Sequence, residues 1–296
     1  MSLRRAVLRA GKLAVLCVLT LLVVPASVVR PADISLHRVE TAKGVDFSDG
    51  RLWALVLGQD AEGLTDAIQL VGIDGTTGSA VGLGIPRDSW LDMPEIGLHR
   101  INAAYRLGGA DVVSQVVADL TGITPDLVLV VNFDGFRGLM GTLGPVDVRT
   151  PQGFVNDGVT VRRGANTFDP GEALAYVRYR KGLDGGDFDR SANHQRLMLS
   201  ALGRLRTQED EPGFMEGAAL AALAGVETDL GPADLYRLAQ FLTTVAPRQV
   251  DTCVLPASPR TVLNDTEVVI LDEAAARRTG ADAQDDLRLQ RGCPTV

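Results

Sequence analysis

Lysine, histidine and cysteine are scarce in this 296-residue sequence, and their scarcity excludes several kinds of site. Only Lys12, Lys43 and Lys181 are lysines, so almost every cation is an arginine. The three histidines are scattered and no HExxH motif occurs, which argues against a zinc hydrolase. The sequence also has no GxSxG, GxxxxGKS/T or GxGxxG motif. Serine hydrolase, P-loop and dinucleotide-binding chemistries therefore lose support.

Basic residues are also fewer than acidic ones, and the formal net charge is −8. Proteins that bind nucleic acid usually carry a basic domain, so we expect no nucleic-acid partner. The composition is otherwise that of an ordinary globular protein, with 46% hydrophobic and 22% charged residues. The chain is long enough to bury a sizeable core.

The N-terminus carries a targeting signal. Four cationic residues precede an uncharged apolar run over residues 13–29. Positive charge before such a run keeps the N-terminus in the cytoplasm and exports the chain beyond the run. We expect residues 1–30 to be a cytoplasmic tail and a single-pass membrane anchor, or a signal peptide cleaved near Ala26. Residues 31–50 form a predicted linker, and residues 51–296 a predicted extracytoplasmic domain at the cell membrane.

The cysteines agree with export. Cys253 and Cys293 are the two cysteines beyond the apolar run, and no CxxC motif is present. An isolated pair in an oxidising compartment is typical of a disulfide. We therefore predict a Cys253–Cys293 bond that closes the C-terminal tail onto the sheet.

Apolar runs and helical periodicity alternate along the chain, without a repeat. Residues 52–57, 68–73 and 80–85 are predicted strands, with a hairpin turn over residues 74–78. The segment that begins with Asp169 places a carboxylate at the N-cap, proline at N1 and glutamate at N3, which predicts a helix start. The pattern indicates an α/β fold: a single domain with a central mixed sheet flanked by helices.

Two aspartates lie at adjoining ends of the first two predicted strands. Asp60 follows the first strand and Asp66 begins the second. Carboxylates so placed can converge on a hard cation such as Mg²⁺. The alternative is a pair of ordinary turn aspartates.

Arg87 and Asp88 follow the third predicted strand directly. An arginine at the C-terminal end of a strand points towards the crevice in which α/β sheets bind ligands. The alternative is an exposed turn in which Asp88 caps Arg87. Ser89 has no paired base in the sequence, so a nucleophilic role for it has little support.

Arginines recur at close spacing near residue 180. Arg178 and Arg180 are predicted to share one face of an extended segment, and Arg190 to lie on the next helix. Like charges so placed repel each other, and arginine suits phosphate oxygens, so a polyanionic ligand would explain them. Three residues should share the helix face of Arg190: Asn193, His194 and Leu197. In the alternative, each arginine pairs on the surface with a nearby acid: Asp184, Asp187 or Asp189.

These residues belong to an ordered set of blocks that resembles the LytR-CpsA-Psr family. The blocks cover roughly residues 50–205 and are Asp60, Thr65-Asp66, Ile85-Pro86-Arg87-Asp88, Arg100-Ile101-Asn102-Ala103-Ala104-Tyr105, Val131-Asn132-Phe133-Asp134-Gly135-Phe136, and Arg178-x-Arg180 with Gly186-Asp187-Phe188-Asp189-Arg190. The resemblance implies an α/β domain with a long apolar tunnel for a polyprenyl tail. It also implies transfer of a polyprenyl-pyrophosphate-linked glycopolymer to a peptidoglycan acceptor, with release of polyprenyl phosphate.

Site residues are implied by the same resemblance. Asp60 and Asp66 would hold Mg²⁺ or Mn²⁺. The pyrophosphate would contact the arginines and one amide: Arg87, Arg178, Arg180, Arg190 and Asn193. Arg87 would act in catalysis, with Asp88 as the candidate base for the sugar hydroxyl.

The sequence departs from the family pattern at two places. Leu64 stands where an arginine is common, and Asn193-His194 replaces an arginine–glutamine pair. Apolar runs are expected to line the tunnel: Val112–Leu120, Leu127–Val131 and Leu197–Leu205. For any single residue of these runs, the favoured alternative is a place in the packed core. Two other functions stay open, a polyprenyl-pyrophosphate phosphatase and a non-catalytic lipid-binding regulator of the envelope.

Overall fold

The computed structural model describes residues 50–258, 261–263 and 266–293. The predicted membrane segment at residues 1–30 lies outside these residues, as does the predicted linker up to residue 49. Within the described part of the chain, no helix is both long enough and apolar enough to cross a bilayer.

Strands and helices alternate through the described chain. The strands are β1 Arg51–Gln59, β2 Thr65–Asp74, β3 Ser79–Gly84, β4 Trp90–Met93, β5 Gly97–Arg100, β6 Leu127–Val131, β7 Val146–Thr150, β8 Phe154–Asn156, β9 Val159–Val161, β10 Gly164–Phe168, β11 Val226–Glu227, β12 Val250–Val254, β13 Thr261–Leu263 and β14 Thr266–Val268. The helices are α1 Ala104–Thr121, α2 Phe133–Leu143, α3 Pro170–Arg178, α4 Asp187–Thr207, α5 Phe214–Gly225, α6 Pro232–Thr243 and α7 Glu273–Asp286.

Six strands form the central sheet, in the order β11-β6-β1-β2-β3-β12. Strands β1, β2 and β3 pair antiparallel, whereas β6 and β12 add to β1 and β3 in parallel. Short antiparallel β11 completes the edge beside β6. The predicted mixed sheet flanked by helices is therefore confirmed.

The hairpin turn between β2 and β3 is held by Asp74. Its carboxylate accepts hydrogen bonds from the Thr76 hydroxyl at 2.5 Å and from the backbone amides of Thr76 and Thr77 at 2.8 and 3.0 Å. Burial would raise the pKa of Asp74, but these bonds and one from Arg51 outweigh it and lower the pKa to about 2.

One face of the sheet is filled with large aliphatic side chains. We call it the packed face and define it by Leu55, Ile68, Leu70, Val81 and Leu83, all buried. Helix α1 covers it with its own apolar residues, and α7 adds small ones. Because alternate residues of a strand point to opposite faces, the residues between these belong to the other side.

The opposite face carries smaller side chains. We call it the hollow face and define it by Val56, Gly58, Val71, Ala80 and Gly82, all of which line a cavity of about 440 Å³. Helices α2, α4, α5 and α6 enclose that cavity with apolar residues. Gly58, Ala80 and Gly82 give the helices little side-chain volume to pack against at these positions, so part of the space between the layers stays open.

Two further predictions hold. Asp169 caps α3 by accepting bonds from the backbone amides of Gly171 and Glu172, and Glu172 bonds back to the Asp169 amide, which completes a capping box. Cys253 of β12 is bonded to Cys293, so the predicted disulfide is confirmed. It ties the C-terminal segment after α7 to the edge of the sheet.

Candidate functional site

Asp66, at the start of β2, contacts two arginines from distant parts of the chain. Its Oδ1 accepts a hydrogen bond from Arg87 Nη1, and Arg190 Nη1 lies 3.7 Å from the same oxygen. Arg87 lies in the turn that follows β3, and Arg190 lies in the first turn of α4. The expected convergence of Asp60 and Asp66 on one cation stays a prediction, whereas the contacts that the structure shows join Asp66 to arginines.

Asp187 forms hydrogen bonds with both Arg87 and Arg190. It is buried at the first position of α4, where its Oδ2 accepts a bond from the Arg87 backbone amide at 2.9 Å. Its Oδ1 accepts a bond from Arg190 Nη2. An acid in the first turn also suits the helix dipole. Asp187 thus fixes the Arg87 backbone and the Arg190 side chain together.

Asp88 joins three arginines and is almost fully enclosed, with 1% of its side chain exposed. Arg87 Nε lies 3.6 Å and Arg100 Nη1 3.4 Å from its Oδ1, and Arg180 Nη1 lies 3.3 Å from its Oδ2. Arg180 also lies 4.0 Å from Glu267. Arg100 was not among the predicted site residues, because its place depends on the β4–β5 hairpin folding back onto Asp88.

We call this group the arginine cluster. It comprises Arg87, Arg100, Arg180 and Arg190 with Asp66, Asp88 and Asp187. Burial would lower the pKa of the Arg87 guanidinium, but Asp66, Asp88 and Asp187 outweigh it and raise that pKa, so Arg87 stays charged. The buried Nε atoms of Arg87 and Arg190 have no hydrogen-bond acceptor among the described residues. The cluster thus retains donors for an oxyanion.

Arg178 stands apart from this cluster. It is the last residue of helix α3, so the prediction that it lies in an extended segment with Arg180 is wrong. Its guanidinium lies 3.4 Å from Asp157 and 4.7 Å from the centre of the Phe133 ring, and 44% of the side chain is exposed. The helix ends here because Tyr179 is extended.

Asn193 and His194 lie on the buried face of α4, as their spacing from Arg190 predicted. Asn193 Oδ1 accepts bonds from the Tyr176 hydroxyl at 2.8 Å and from Arg196 Nη1 at 2.7 Å, so its oxygen is used inside the core. The structure does not bring Asn193 into a contact with the arginines of the cluster among the described residues.

His194 contacts the backbone carbonyl of Val177 through Nε2 at 3.0 Å. Burial and then the nearby Arg190 cation lower its pKa to about 4, against smaller opposing effects of Val177 and Asp66. The imidazole is therefore neutral at pH 7 and donates from Nε2.

Asp60 organises the β1–β2 turn. Its Oδ1 accepts bonds from the backbone amides of Glu62 and Leu64, both at 2.9 Å. Within the described chain, the second carboxylate oxygen, Oδ2, of Asp60 and of Asp66 takes part in no hydrogen bond or ion pair. The described residues contain no group of three or more histidine, cysteine or acidic side chains placed to hold a metal ion.

The cavity on the hollow face reaches the arginine cluster. Asp66 and Arg178 are the charged residues in its lining, and Asp66 is also a member of the cluster. The predicted tunnel segments 127–131 and 197–205 do contribute to the lining. The prediction for residues 112–120 is wrong, because α1 lies on the packed face and fills the core there.

Comparison with known proteins places this geometry in a family. The LytR_cpsA_psr family model matches residues 32–284. The chain belongs to the LytR_cpsA_psr family. The resemblance seen in the sequence blocks is thus confirmed, and the match extends well beyond them.

Curated LytR_cpsA_psr relatives share about 30% of their residues with the matched region. Regulatory protein MsrR of Staphylococcus aureus is 31% identical over 173 residues, which are 56% of this chain and 52% of MsrR. The polyisoprenyl-teichoic acid–peptidoglycan teichoic acid transferase TagU of Oceanobacillus iheyensis is 29% identical over 69% of this chain and 61% of TagU. The match therefore spans between half and two thirds of these relatives' length.

Solved structures share the fold. TagV of B. subtilis superposes with a TM-score of 0.71 at 25% identity, over 81% of this chain and 98% of TagV. TagT bound to LI-WTA gives a TM-score of 0.68 at 24% identity, over 84% of this chain and 95% of TagT. The mixed sheet flanked by helices is the common architecture.

Proposed function

We propose that this protein is a phosphotransferase that moves a glycopolymer from a polyprenyl-pyrophosphate carrier onto peptidoglycan and releases polyprenyl phosphate. One observation carries the proposal: the apolar cavity and the arginine cluster meet at Asp66. An apolar pocket of this kind suits a hydrocarbon chain, and guanidinium groups suit phosphate oxygens. A lipid pyrophosphate has both parts, joined end to end.

The relatives support the reaction class. TagU is a teichoic acid transferase whose name states a polyisoprenyl-linked donor and a peptidoglycan acceptor. We extend that class of reaction to this chain as part of the proposal, because the residues of the arginine cluster lie within the region that the family model matches.

The proposed transfer depends more on neutralising the negative charge of the pyrophosphate than on a nucleophile from the protein. A sugar hydroxyl of the acceptor attacks the phosphorus that bears the glycan, and the bond from that phosphorus to the bridging oxygen breaks. Polyprenyl phosphate leaves with the electron pair of the broken bond, and the hydroxyl proton passes to solvent water. Arg87 and Arg190 carry buried N–H groups without a protein acceptor among the described residues, and they are suited to the charge that develops on the phosphate oxygens.

The contacts of Asp88 favour a positioning role over the role of general base. Both of its carboxylate oxygens face guanidinium groups, and it is buried. To accept a sugar proton it would have to leave Arg100 and Arg180. We propose instead that Asp88 holds Arg87, Arg100 and Arg180 in the orientation that the pyrophosphate requires.

Asp60 and Asp66 fit a divalent cation, although each also has a structural task. Each uses Oδ1 for protein contacts, and Oδ2 has none within the described chain. Mg²⁺ is commonly held by one or two carboxylates, with water and substrate phosphates as the other ligands, so two oxygens suffice. Bound there, Mg²⁺ or Mn²⁺ would neutralise negative charge on the pyrophosphate.

The predicted location follows from the substrate. A lipid-linked donor and a peptidoglycan acceptor meet at the outer surface of the cell membrane. We propose that the N-terminal segment anchors the chain there by a single pass and leaves the described domain outside the cytoplasm.

A transfer assay tests the proposal against its alternatives. Full-length protein is mixed with a synthetic polyprenyl-pyrophosphate-linked glycan, with and without a peptidoglycan fragment. We expect slow lipid phosphate release alone, and faster release with covalent attachment of the glycan when the fragment is present. If lipid phosphate is released at the same rate with and without the fragment, and no glycan becomes attached to the fragment, the protein is a phosphatase. No release in either case would indicate a lipid-binding regulator.

The metal part has its own test. Asp60→Asn should raise the Mg²⁺ concentration needed for half-maximal transfer, whereas Asp134→Asn, at an exposed aspartate paired with Arg137, should not. Asp60 is preferred to Asp66 here, because loss of Asp66 would also release two arginines. Equal Mg²⁺ dependence in both variants would contradict the assignment.

A further inference from the structure

A second group of arginines converges on a pocket outside the arginine cluster. Arg149, Arg163 and Arg196 line this pocket of about 320 Å³, together with Thr150 and residues 151 and 164. No residue of its lining is acidic. We call it the second arginine pocket. None of its residues lines the apolar cavity.

The three arginines come from separate elements. Arg149 lies on the exposed side of strand β7, Arg163 on the turn that leads into β10, and Arg196 in the middle of helix α4. Arg196 is six residues after Arg190, which is about 9 Å along the helix and on a different side of it. The pocket and the arginine cluster have no residue in common.

The turn that carries Arg163 is held in place from two sides. The Asn166 side chain accepts a bond from the Arg162 amide at 2.9 Å and donates to the carbonyls of Arg162 and Gly164 at 2.7 and 3.1 Å. The buried Thr150 hydroxyl donates to the Arg162 carbonyl at 2.5 Å. Gly164, with φ of +101°, permits the tight backbone. Arg163 is thus presented by an ordered turn.

These arginines differ from several surface arginines that are paired with an acid. Arg137, Arg237 and Arg288 each form an ion pair with an aspartate. Among the described residues, none of Arg149, Arg163 and Arg196 forms an ion pair, although the chain has 37 acidic and 29 basic residues.

Converging like charges repel unless an anion lies between them. Arg196 is anchored by its bond to Asn193, so the positive charge is fixed at the pocket. Asp147, the nearest acid along β7, accepts a bond from Thr167 at 2.6 Å. It is not part of the lining.

We propose that the second arginine pocket is a binding site for an oxyanion, a phosphate or carboxylate group carried by a glycan. Guanidinium forks from three directions match the planar or tetrahedral oxygens of such a group. The glycan part of this inference rests on the proposed function, since donor and acceptor would both be glycans. The oxyanion part rests on the pocket alone.

Phosphate binding tests the pocket without any need for activity. Inorganic phosphate is titrated into full-length protein in a calorimeter at low ionic strength. The double variant Arg149→Gln, Arg163→Gln removes two donors, and Arg162→Gln is the matched control, an exposed neighbour outside the lining. We expect the double variant to lose one phosphate site or to weaken it by roughly tenfold or more, and the control to keep it. Identical phosphate binding by the double variant and the control would overturn the proposal.

Kinetics then identify the source of the oxyanion. In the double variant, KM should rise about tenfold for one glycan substrate with kcat little changed. A rise for a phosphate-bearing donor but not for a neutral donor assigns the site to the donor. A rise for an acceptor with free carboxylates but not for its amidated form assigns it to the acceptor. Loss of phosphate binding with neither KM changed would overturn the assignment to a glycan.

Discussion

The two faces of the central sheet are built from the same strands but bury very different side chains. On the packed face, leucine, isoleucine and valine pack against α1. On the hollow face, Gly58, Ala80 and Gly82 alternate with them and leave a cavity of about 440 Å³. Empty space forfeits dispersion contacts, so a cavity lowers stability unless something occupies it. We therefore expect the packed face to contribute most of the stability, and we propose that a ligand occupies the cavity on the hollow face.

The largest predicted effect is a loss of transfer activity when Arg87 of the arginine cluster is replaced. Arg87→Ala removes a charged donor from the arginine cluster, and we expect kcat/KM for transfer to fall about 10²-fold or more, about 3 kcal/mol of transition-state stabilisation. Transfer kinetics and thermal unfolding are measured in parallel. Arg137→Ala, at an exposed arginine paired with Asp134, is the control and should keep full activity. Normal turnover by Arg87→Ala would show that the cluster serves structure alone.

A pair of leucine truncations compares the two faces directly. Leu55→Ala on the packed face should lower the free energy of unfolding by about 2–5 kcal/mol, because its neighbours cannot close the space. Leu202→Ala, in the cavity lining on α4, should cost about half of that or less, because its side chain already faces open volume. Urea unfolding measures both. Equal losses would contradict the distinction between the faces.

Two glycines on neighbouring strands give a finer comparison. A Cβ at Gly72 would lie 2.6 to 2.8 Å from Trp53 and Leu287, so Gly72→Ala should destabilise by about 1–3 kcal/mol. A Cβ at Gly82 would meet only Thr252, at 3.6 Å. Gly82→Ala should therefore lower the free energy of unfolding by about 0.5 kcal/mol at most, or increase it. The denaturant concentration at the midpoint of unfolding is measured for both variants and for the wild type. A large loss at Gly82 would mean that the hollow face is tightly packed.

A further predicted effect concerns the stability of the fold in acid. The pKa of His194 falls from 6.5 in the unfolded chain to about 4 in the fold. Its neutral form therefore supports the fold fully above pH 6.5, and this support is lost as pH falls from 6.5 towards 4. His194→Gln should flatten the decline of unfolding free energy between pH 7 and 5.5, by about 1 kcal/mol.

His99→Gln serves as the control for this measurement and should keep the wild-type decline. His99 lies in the β4–β5 hairpin. An unchanged slope in His194→Gln would mean that another group causes the acid sensitivity.

The sheet was predictable because its strands are apolar runs bounded by clear turn residues. The capping box at Asp169 and the helix from Asp187 were equally visible. Helix α7 was not predicted, because it buries small residues and has no stripe of large apolar ones. The buried positions of α7 are Ala275, Ala276, Thr279, Gly280 and Ala283. Such a helix depends on close approach to a partner that sequence periodicity does not reveal.

The site was predictable in its parts but not in its pairing. The sequence indicated Arg87, Arg180 and Arg190, and the fold brings these three together. Arg178 lies apart, because a helix continues where an extended segment was expected. The aspartates that join the arginines could not be paired from spacing, since Asp66 and Arg190 are more than 120 residues apart. Only the tertiary fold supplies such contacts.

The central claim is that the hollow face holds the hydrocarbon chain of a polyprenyl phosphate carrier whose phosphates lie in the arginine cluster. Mass spectrometry of lipids extracted from the full-length protein, as purified from membranes, tests it most directly. We predict about one polyprenyl phosphate or pyrophosphate per chain in the wild type and in Gly82→Ala, and little in Gly82→Leu, whose side chain would project into the cavity and narrow it. Thermal unfolding confirms that Gly82→Leu is folded. Equal polyprenyl lipid in a folded Gly82→Leu variant, or none in the wild type even after incubation with polyprenyl phosphate, would contradict the account.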